Sequence, residues 1–229
     1  MTDDWKPPAA SALDDAPFPD QLSARAIDSG GDDDRVHGYA VLGDLAVNYR
    51  YSDLVFLSLT GELPDEQPSA LFELALFSVA TPSVGVAGSH LAVLSRLTEA
   101  PLSSALAAGM VAAADRARLL VDRHAALLAW LAAPSGAPPA ASCGAPDPWV
   151  ATLAAAARRI APEVALPLEL AREAASLAVF HAAGVRTPDQ LVGAIVTASL
   201  CGMTAEAIAT GPAHLSSYPV RVPPFRYEE

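Results

Sequence analysis

Cysteine is almost absent from these 229 residues, with only Cys143 and Cys201 present. The two stand far apart and show no Cys-x-x-Cys spacing, so they support neither a disulfide framework nor a zinc site. Two buried thiols are expected. Lysine is scarcer still: Lys6 stands alone beside thirteen arginines, a bias that carries no functional meaning. Also missing is any long uninterrupted apolar run. Although 52% of the residues are hydrophobic, stretches such as Leu102 to Ala114 are Ala-rich, end at charges or breakers, and fall short of the roughly 20 residues a membrane helix needs. No membrane span is expected. The opening Met1-Thr2-Asp3-Asp4 has no basic region leading into an apolar run, which reads against a secretory signal and for a cytoplasmic protein. Positive charge is in deficit as well. The formal net charge is −12, part of it from Asp3, Asp4, Asp14, Asp15, Asp20, Asp28, Asp32, Asp33 and Asp34, and such an acidic leader repels a phosphate backbone. Nucleic acid is therefore a poor partner.

What the chain does contain is punctuation for helices. Its length suits one domain, or a large domain carrying a small one. Residues 1–35, rich in proline, glycine and aspartate, have too little periodic apolar content for a core element and read as an acidic, flexible arm. From Val36 onward no apolar/polar alternation runs long enough for a sheet, so the expected fold class is all-α. Ser52 is placed to cap a helix over Asp53 to Thr60, with Gly61 as its left-handed terminator. Pro68 and Pro101 suit the first turns of two further helices, the second running on toward Ala133, where Gly109 among alanines is expected to permit close helix packing between subunits. Residues 134–148, with Gly136, Pro138, Pro139, Gly144 and Pro146, read as a linker between a helical half at 36–133 and another at 149–229. In the second half Asp147-Pro148 is a cap followed by a first-turn proline, and Pro167 opens a helix that closes near Gly184. Thr187-Pro188-Asp189-Gln190 is a capping box whose helix should end at Gly202, leaving a short last helix from Thr204 to Gly211.

The block His37-Gly38-Tyr39, Leu42-Gly43-Asp44-Leu45-Ala46, Leu54 to Leu59 and Thr60-Gly61-Glu62-Leu63-Pro64 resembles the N-terminal signature of the citrate synthase and citryl-CoA lyase family. Thinner similarity continues at Ser95-Arg96-Leu97-Thr98, Leu102 to Ala113, Gly193-Ala194-Ile195, Ala213-His214-Leu215 and Arg221 to Tyr227. The resemblance implies a multihelical fold with a larger and a reduced smaller helical part. It also implies a CoA thioester as substrate, no bound cofactor or metal, and pairing as a homodimer or with a complete citrate synthase-like paralogue. The family's reaction passes through an enol intermediate and uses a histidine electrophile, an aspartate base, and further histidine and arginine side chains that grip carboxylates. Each role has a chemical reason: the weakly acidic thioester methyl needs a base and a donor together, and a bidentate guanidinium matches a planar carboxylate.

Against that pattern the residues of this chain are shortened and changed. The family's His-Gly-Gly-Ala step would follow Asp115, where the chain reads Arg116-Ala117-Arg118. The Gly-Phe-Gly-His-Pro element falls near Ser142-Cys143-Gly144-Ala145-Pro146, without histidine. Val192 stands before Gly193-Ala194-Ile195, where the base belongs, and Ala207 or Ile208 takes the place of the carboxylate-binding arginine upstream of Ala213-His214. Weak candidates for relocated catalysis are His90, Asp147 and His214. Those for substrate carboxylates or phosphates are Arg221, Arg158 and Arg159. Several also have an ordinary reading: His90 as a helical residue whose side chain diverges from Ser89, His214 as a helix-terminal residue that packs or caps, and Arg158-Arg159 as a solvated helix end. His37, His124 and His181 lack any carboxylate at triad or ligand spacing and read as solvated or satisfied core residues. The sequence thus points to a partner-supporting, non-catalytic subunit of citrate synthase type, with a divergent acyltransferase or lyase as the alternative.

Overall fold

The computed structural model describes residues 24–212. Nine α-helices make up most of this region: α1 Ala46–Asn48, α2 Tyr51–Thr60, α3 Glu66–Val79, α4 Ala87–Leu97, α5 Leu102–Arg123, α6 Ala125–Ala132, α7 Pro148–Ile160, α8 Arg172–Ala182 and α9 Pro188–Thr210. The all-α expectation holds, with one local departure. Three two-residue strands, β1 Ile27–Asp28, β2 Arg35–Val36 and β3 Tyr39–Ala40, pair antiparallel in the order β1-β2-β3. Strands this short leave no alternation to read. Their one legible sign is the turn His37-Gly38, both residues at positive φ (49° and 90°), as a tight two-residue hairpin requires. Asp33 then replaces a local cap: its carboxylate accepts the amides of Leu42 (3.1 Å) and Gly43 (2.8 Å) at the start of a single π-helical turn, Val41–Leu45. Those two amides hold the Asp33 carboxyl below its ordinary pKa, the Gly43 bond contributing most.

Several helix boundaries differ from the sequence reading, and each difference has a contact behind it. α2 begins at Tyr51, with Arg50 as N-cap and the Asp53 carboxylate accepting the Arg50 amide at 2.9 Å. Ser52 is therefore not the cap. Its hydroxyl is buried without a hydrogen-bond partner, while buried Asp53 also receives the Ser69 hydroxyl and so ties α2 to α3. Pro167 starts a turn, and α8 begins five residues later at Arg172. The intervening backbone is spent on a bridge to residues 142–144: Cys143 pairs with Leu170, Gly144 N–H donates to Glu169 O (2.8 Å) and Ala171 N–H to Ser142 O (3.0 Å). The helical run from Pro101 breaks at His124, which closes α5 and opens α6.

Gly202 does not end a helix, and α9 runs unbroken to Thr210. The glycine is there for close approach. Its amide donates to Ala80 O at 2.9 Å, and a Cβ at this position would stand 2.7 Å from that oxygen. α9 has the length and composition of a membrane-crossing helix, and a third of its apolar window is buried, with Leu191, Ala194, Ile195, Ala198, Met203 and Ala207 packed against the bundle. Three local readings survive unchanged: Gly61 closes α2 in the left-handed region, Asp147 caps α7 through the Trp149 amide at 2.9 Å, and Thr187 with Gln190 forms the capping box of α9.

The main hydrophobic core draws on both sides of the 134–148 segment, from Phe56 and Phe72 to Phe180 and Leu191. A smaller cluster of Ala92, Met203 and Ala207 fills the seam where α4, α5 and α9 meet. The thiols are not both interior as expected: Cys143 is half-buried, its thiol against Pro139 O, and Cys201 is exposed on α9.

Candidate functional site

A cleft of about 410 Å³ opens where the end of α3, the 81–86 loop and α4 meet α5, α8 and α9. It is of the size that takes a small organic ligand. Its charged lining comes from Arg116 on α5 and from Arg172 and Glu173 in the first turn of α8. Trp149 adds an aromatic wall, and Ser89, Ser176 and Ser199 add hydroxyls. All three hydroxyl protons are already used inside the protein, on Pro82 O (3.1 Å), Arg172 O (3.2 Å) and Ile195 O (2.7 Å) respectively. These serines consequently offer the cleft lone pairs rather than protons.

Both guanidiniums are engaged. Arg172 forks onto the Asp147 carboxylate, its Nη2 lying 3.1 Å from Oδ1, while its plane rests 5.5 Å from the Trp149 ring centre. This fork is the chief cause of the lowered Asp147 pKa, the Trp149 amide adding to it, and in return Arg172 holds its proton more firmly. Asp147 therefore serves as a cap and a clamp for Arg172, and it does not line the cleft. Arg116 Nη2 donates to Glu173 Oε1 at 2.5 Å, with Arg123 Nη1 at 3.8 Å from Oε2. Behind this pair lies a second cavity of about 400 Å³, which shares Arg116, Leu120 and Glu173 with the first.

The other candidates lie apart from this site. His90 is exposed on α4, although its neighbours Gly88 and Ser89 line the cleft. Arg158 and Arg159 are exposed on the last turn of α7 and are not on the lining. His214 and Arg221 lie outside the described residues. Val192 packs on the main core, whereas α9 reaches the cleft through Ile195, Ser199 and Met203. Sequence reasoning places Arg116 in the shortened segment without giving it a role, and it misses Arg172, Glu173 and Trp149. The signal for Arg172 is the Asp147 cap, whose second oxygen needs a partner. No local pattern marks Glu173.

His124 is the one buried histidine among the described residues, its Nδ1 2.9 Å from the Ser142 hydroxyl. Desolvation is the main cause that lowers its pKa, Arg123 acting the same way against an opposing pull from Glu173. The fold thus favours neutral imidazole, whereas the unfolded chain takes up a proton near 6.5. Stability should be full above that value and decline as pH falls through the lower folded pKa. Half-buried His181, lowered chiefly by desolvation, acts in the same direction. In urea titrations across this interval, His124→Asn should lose less stability on acidification than the wild type, because it removes a group that binds its proton only after unfolding. Parallel curves for the two proteins would assign the acid sensitivity elsewhere.

No protein-family model matches the chain, and no curated protein matches it by sequence. Solved structures do match. Citryl-CoA lyase from Hydrogenobacter thermophilus superposes with a TM-score of 0.63 over 91% of this chain and 97% of its own, at 19% identity. ATP citrate lyase from Methanosaeta concilii, a variant in complex with (3S)-citryl-CoA, gives 0.56 at 15% identity. ATP citrate lyase from Methanothrix soehngenii, in complex with citrate and coenzyme A, gives 0.55 at 16%. The chain spans 44% of the length of each of these two larger enzymes. The helical order, the α4–α5–α9 packing and these superpositions together establish that this chain has the all-α citrate synthase/citryl-CoA lyase-like fold.

Proposed function

We propose that this protein is a non-catalytic, partner-supporting subunit of citrate synthase type, which keeps the helical scaffold, a carboxylate-sized cleft and a pairing face. The observation that carries this reading is the make-up of the cleft. Among the described residues, its lining presents guanidiniums and hydroxyls but no histidine. Its one carboxylate, Glu173, is committed to Arg116. A thioester enolate needs a free base beside a proton-donating electrophile, and this lining supplies no free carboxylate or imidazole to act as the base. The pairing face is the outer side of the first half of α5 with the adjoining α4, where Met110, Val111 and Leu91 are exposed at 41, 66 and 36%. An apolar face of that kind is stabilised by a second subunit, either another copy or a complete citrate synthase-like paralogue.

Light scattering at micromolar concentration should report a dimer of the purified chain, or capture of a coexpressed paralogue. Val111→Glu should shift that assembly to monomer with helix content unchanged. Citryl-CoA, present in a structure with this fold, is the substrate to try: thiol release by the purified chain should stay at background. Turnover above background would replace this reading with that of a divergent lyase, and a monomer that captures no paralogue would remove the pairing role.

A further inference from the structure

The wall between the two cavities is made of Arg116, Leu120 and Glu173, and the Arg116–Glu173 ion pair crosses it. Glu173 sits between two guanidiniums, Arg116 at 2.5 Å and Arg123 at 3.8 Å, in the first turn of α8, where backbone amides also favour negative charge. Two cations and a helix start converging on one carboxylate form the setting in which a protein binds a ligand carboxylate. Here the chain fills the position with its own side chain. The pair is not sealed in, because both partners keep more than a third of their side-chain surface in solvent (38% and 37%), and half-exposed pairs of this kind contribute little net stability.

We propose that Glu173 is an internal competitor for a ligand carboxylate at Arg116, and that its displacement joins the two cavities into one groove for an elongated polycarboxylate. Rotation of Glu173 toward solvent leaves Arg116 facing both spaces, about 410 and 400 Å³. Arg123 lines only the second, which also carries Asp115, so a ligand carboxylate entering from that side is drawn to Arg123 and Arg116 and kept away from the Asp115 end. Arg172 stays tied to Asp147 and shapes the far wall with Trp149. Ser89, Ser176 and Ser199, whose protons are spent on backbone carbonyls, accept from ligand hydroxyls. The binding-competent form is the fraction with the latch open, so affinity in the wild type is reduced by that fraction.

This inference rests on reading the cleft as a carboxylate site, and calorimetric titration of the full chain with citrate tests both. Glu173→Gln keeps the side-chain shape and removes the competing charge, so it should bind citrate on the order of tenfold more tightly than the wild type. Glu173→Asp, one methylene shorter, should give an intermediate gain and serves if the glutamine variant is poorly folded. Adding Arg116→Gln to Glu173→Gln should abolish the gain. Equal affinity of wild type and Glu173→Gln would overturn the latch while leaving the cleft as a carboxylate site. A gain that survives loss of Arg116 would overturn it too. Absence of citrate binding in every form would overturn both the latch and the carboxylate reading, with the pairing role still tested separately by light scattering.

Discussion

Replacing Gly109 with leucine should unfold the protein rather than divide it into subunits. The Ala-rich stretch around Gly109 reads, in sequence, as a surface for packing between subunits, and on that reading a bulky residue would block assembly with helix content intact. The structure places Gly109 inside one chain. It is buried on α5, and a Cβ there would lie 2.3 Å from Met203 Sδ, 2.9 Å from Gly88 O and 3.0 Å from Ala92 Cβ. The Met203 thioether can swing away, but the Gly88 carbonyl belongs to α4 and cannot retreat without moving that helix. Overpacking a core commonly costs about 1–3 kcal/mol, and a whole isobutyl group against a backbone carbonyl belongs at or beyond the upper end. Thermal melts followed by circular dichroism should show Gly109→Leu shifted far below the wild type, with Gly109→Ala between them. A melt unchanged by leucine would mean that α4, α5 and α9 do not meet as described.

The second large loss is expected at Phe72. This side chain is fully buried at the centre of an aromatic row, its ring 5.2 Å from Phe56 and 6.0 Å from Phe180, both edge-on. It joins α2, α3 and α8, and so helps to bond the part of the chain before residue 134 to the part after 148. Phe72→Ala removes apolar contact on every side and leaves a cavity walled by two rings, for which roughly 3–5 kcal/mol is the usual cost. Edge-to-face pairing adds about 0.5–1.5 kcal/mol for each aromatic partner lost. Urea unfolding should report the loss as a lower midpoint with little change in slope. Two separate transitions in the variant would show the parts parting company before either unfolds. A midpoint within a few tenths molar of the wild type would contradict the packing.

Sequence patterns read well wherever a contact stays within one turn of helix. Thr187 and Gln190 are three residues apart and Asp147 is two from the amide it caps, so the chain itself announces both. Gly61, at φ 82°, ends α2 for an equally local reason. Misreadings arise where a residue answers to something distant in sequence. Gly202 resembles a helix terminator until Ala80 O is seen beside it. Pro167 resembles a helix start until the 142–144 backbone claims the residues that follow. Gly109 resembles a subunit contact until Met203 and Gly88 are brought to it. The cleft follows the same rule: Arg116 and Glu173 lie 57 positions apart, and nothing around either one encodes the other. The arginine and glutamate that meet at the cleft are a product of folding.

The Gly202 amide bond to Ala80 has a mechanical consequence. It pins the middle of α9 to the segment that carries Thr81 and Pro82. Ser199 and Met203 flank this bond, so a slide of α9 along its axis to admit a bulky guest would have to break it. The opposite side, where the start of α8 leans on α5 through the solvent-exposed pair Arg116 and Glu173, is expected to yield more readily. Amide hydrogen exchange should accordingly be slow at Gly202 and faster through the first turn of α8, so that entry has a preferred side.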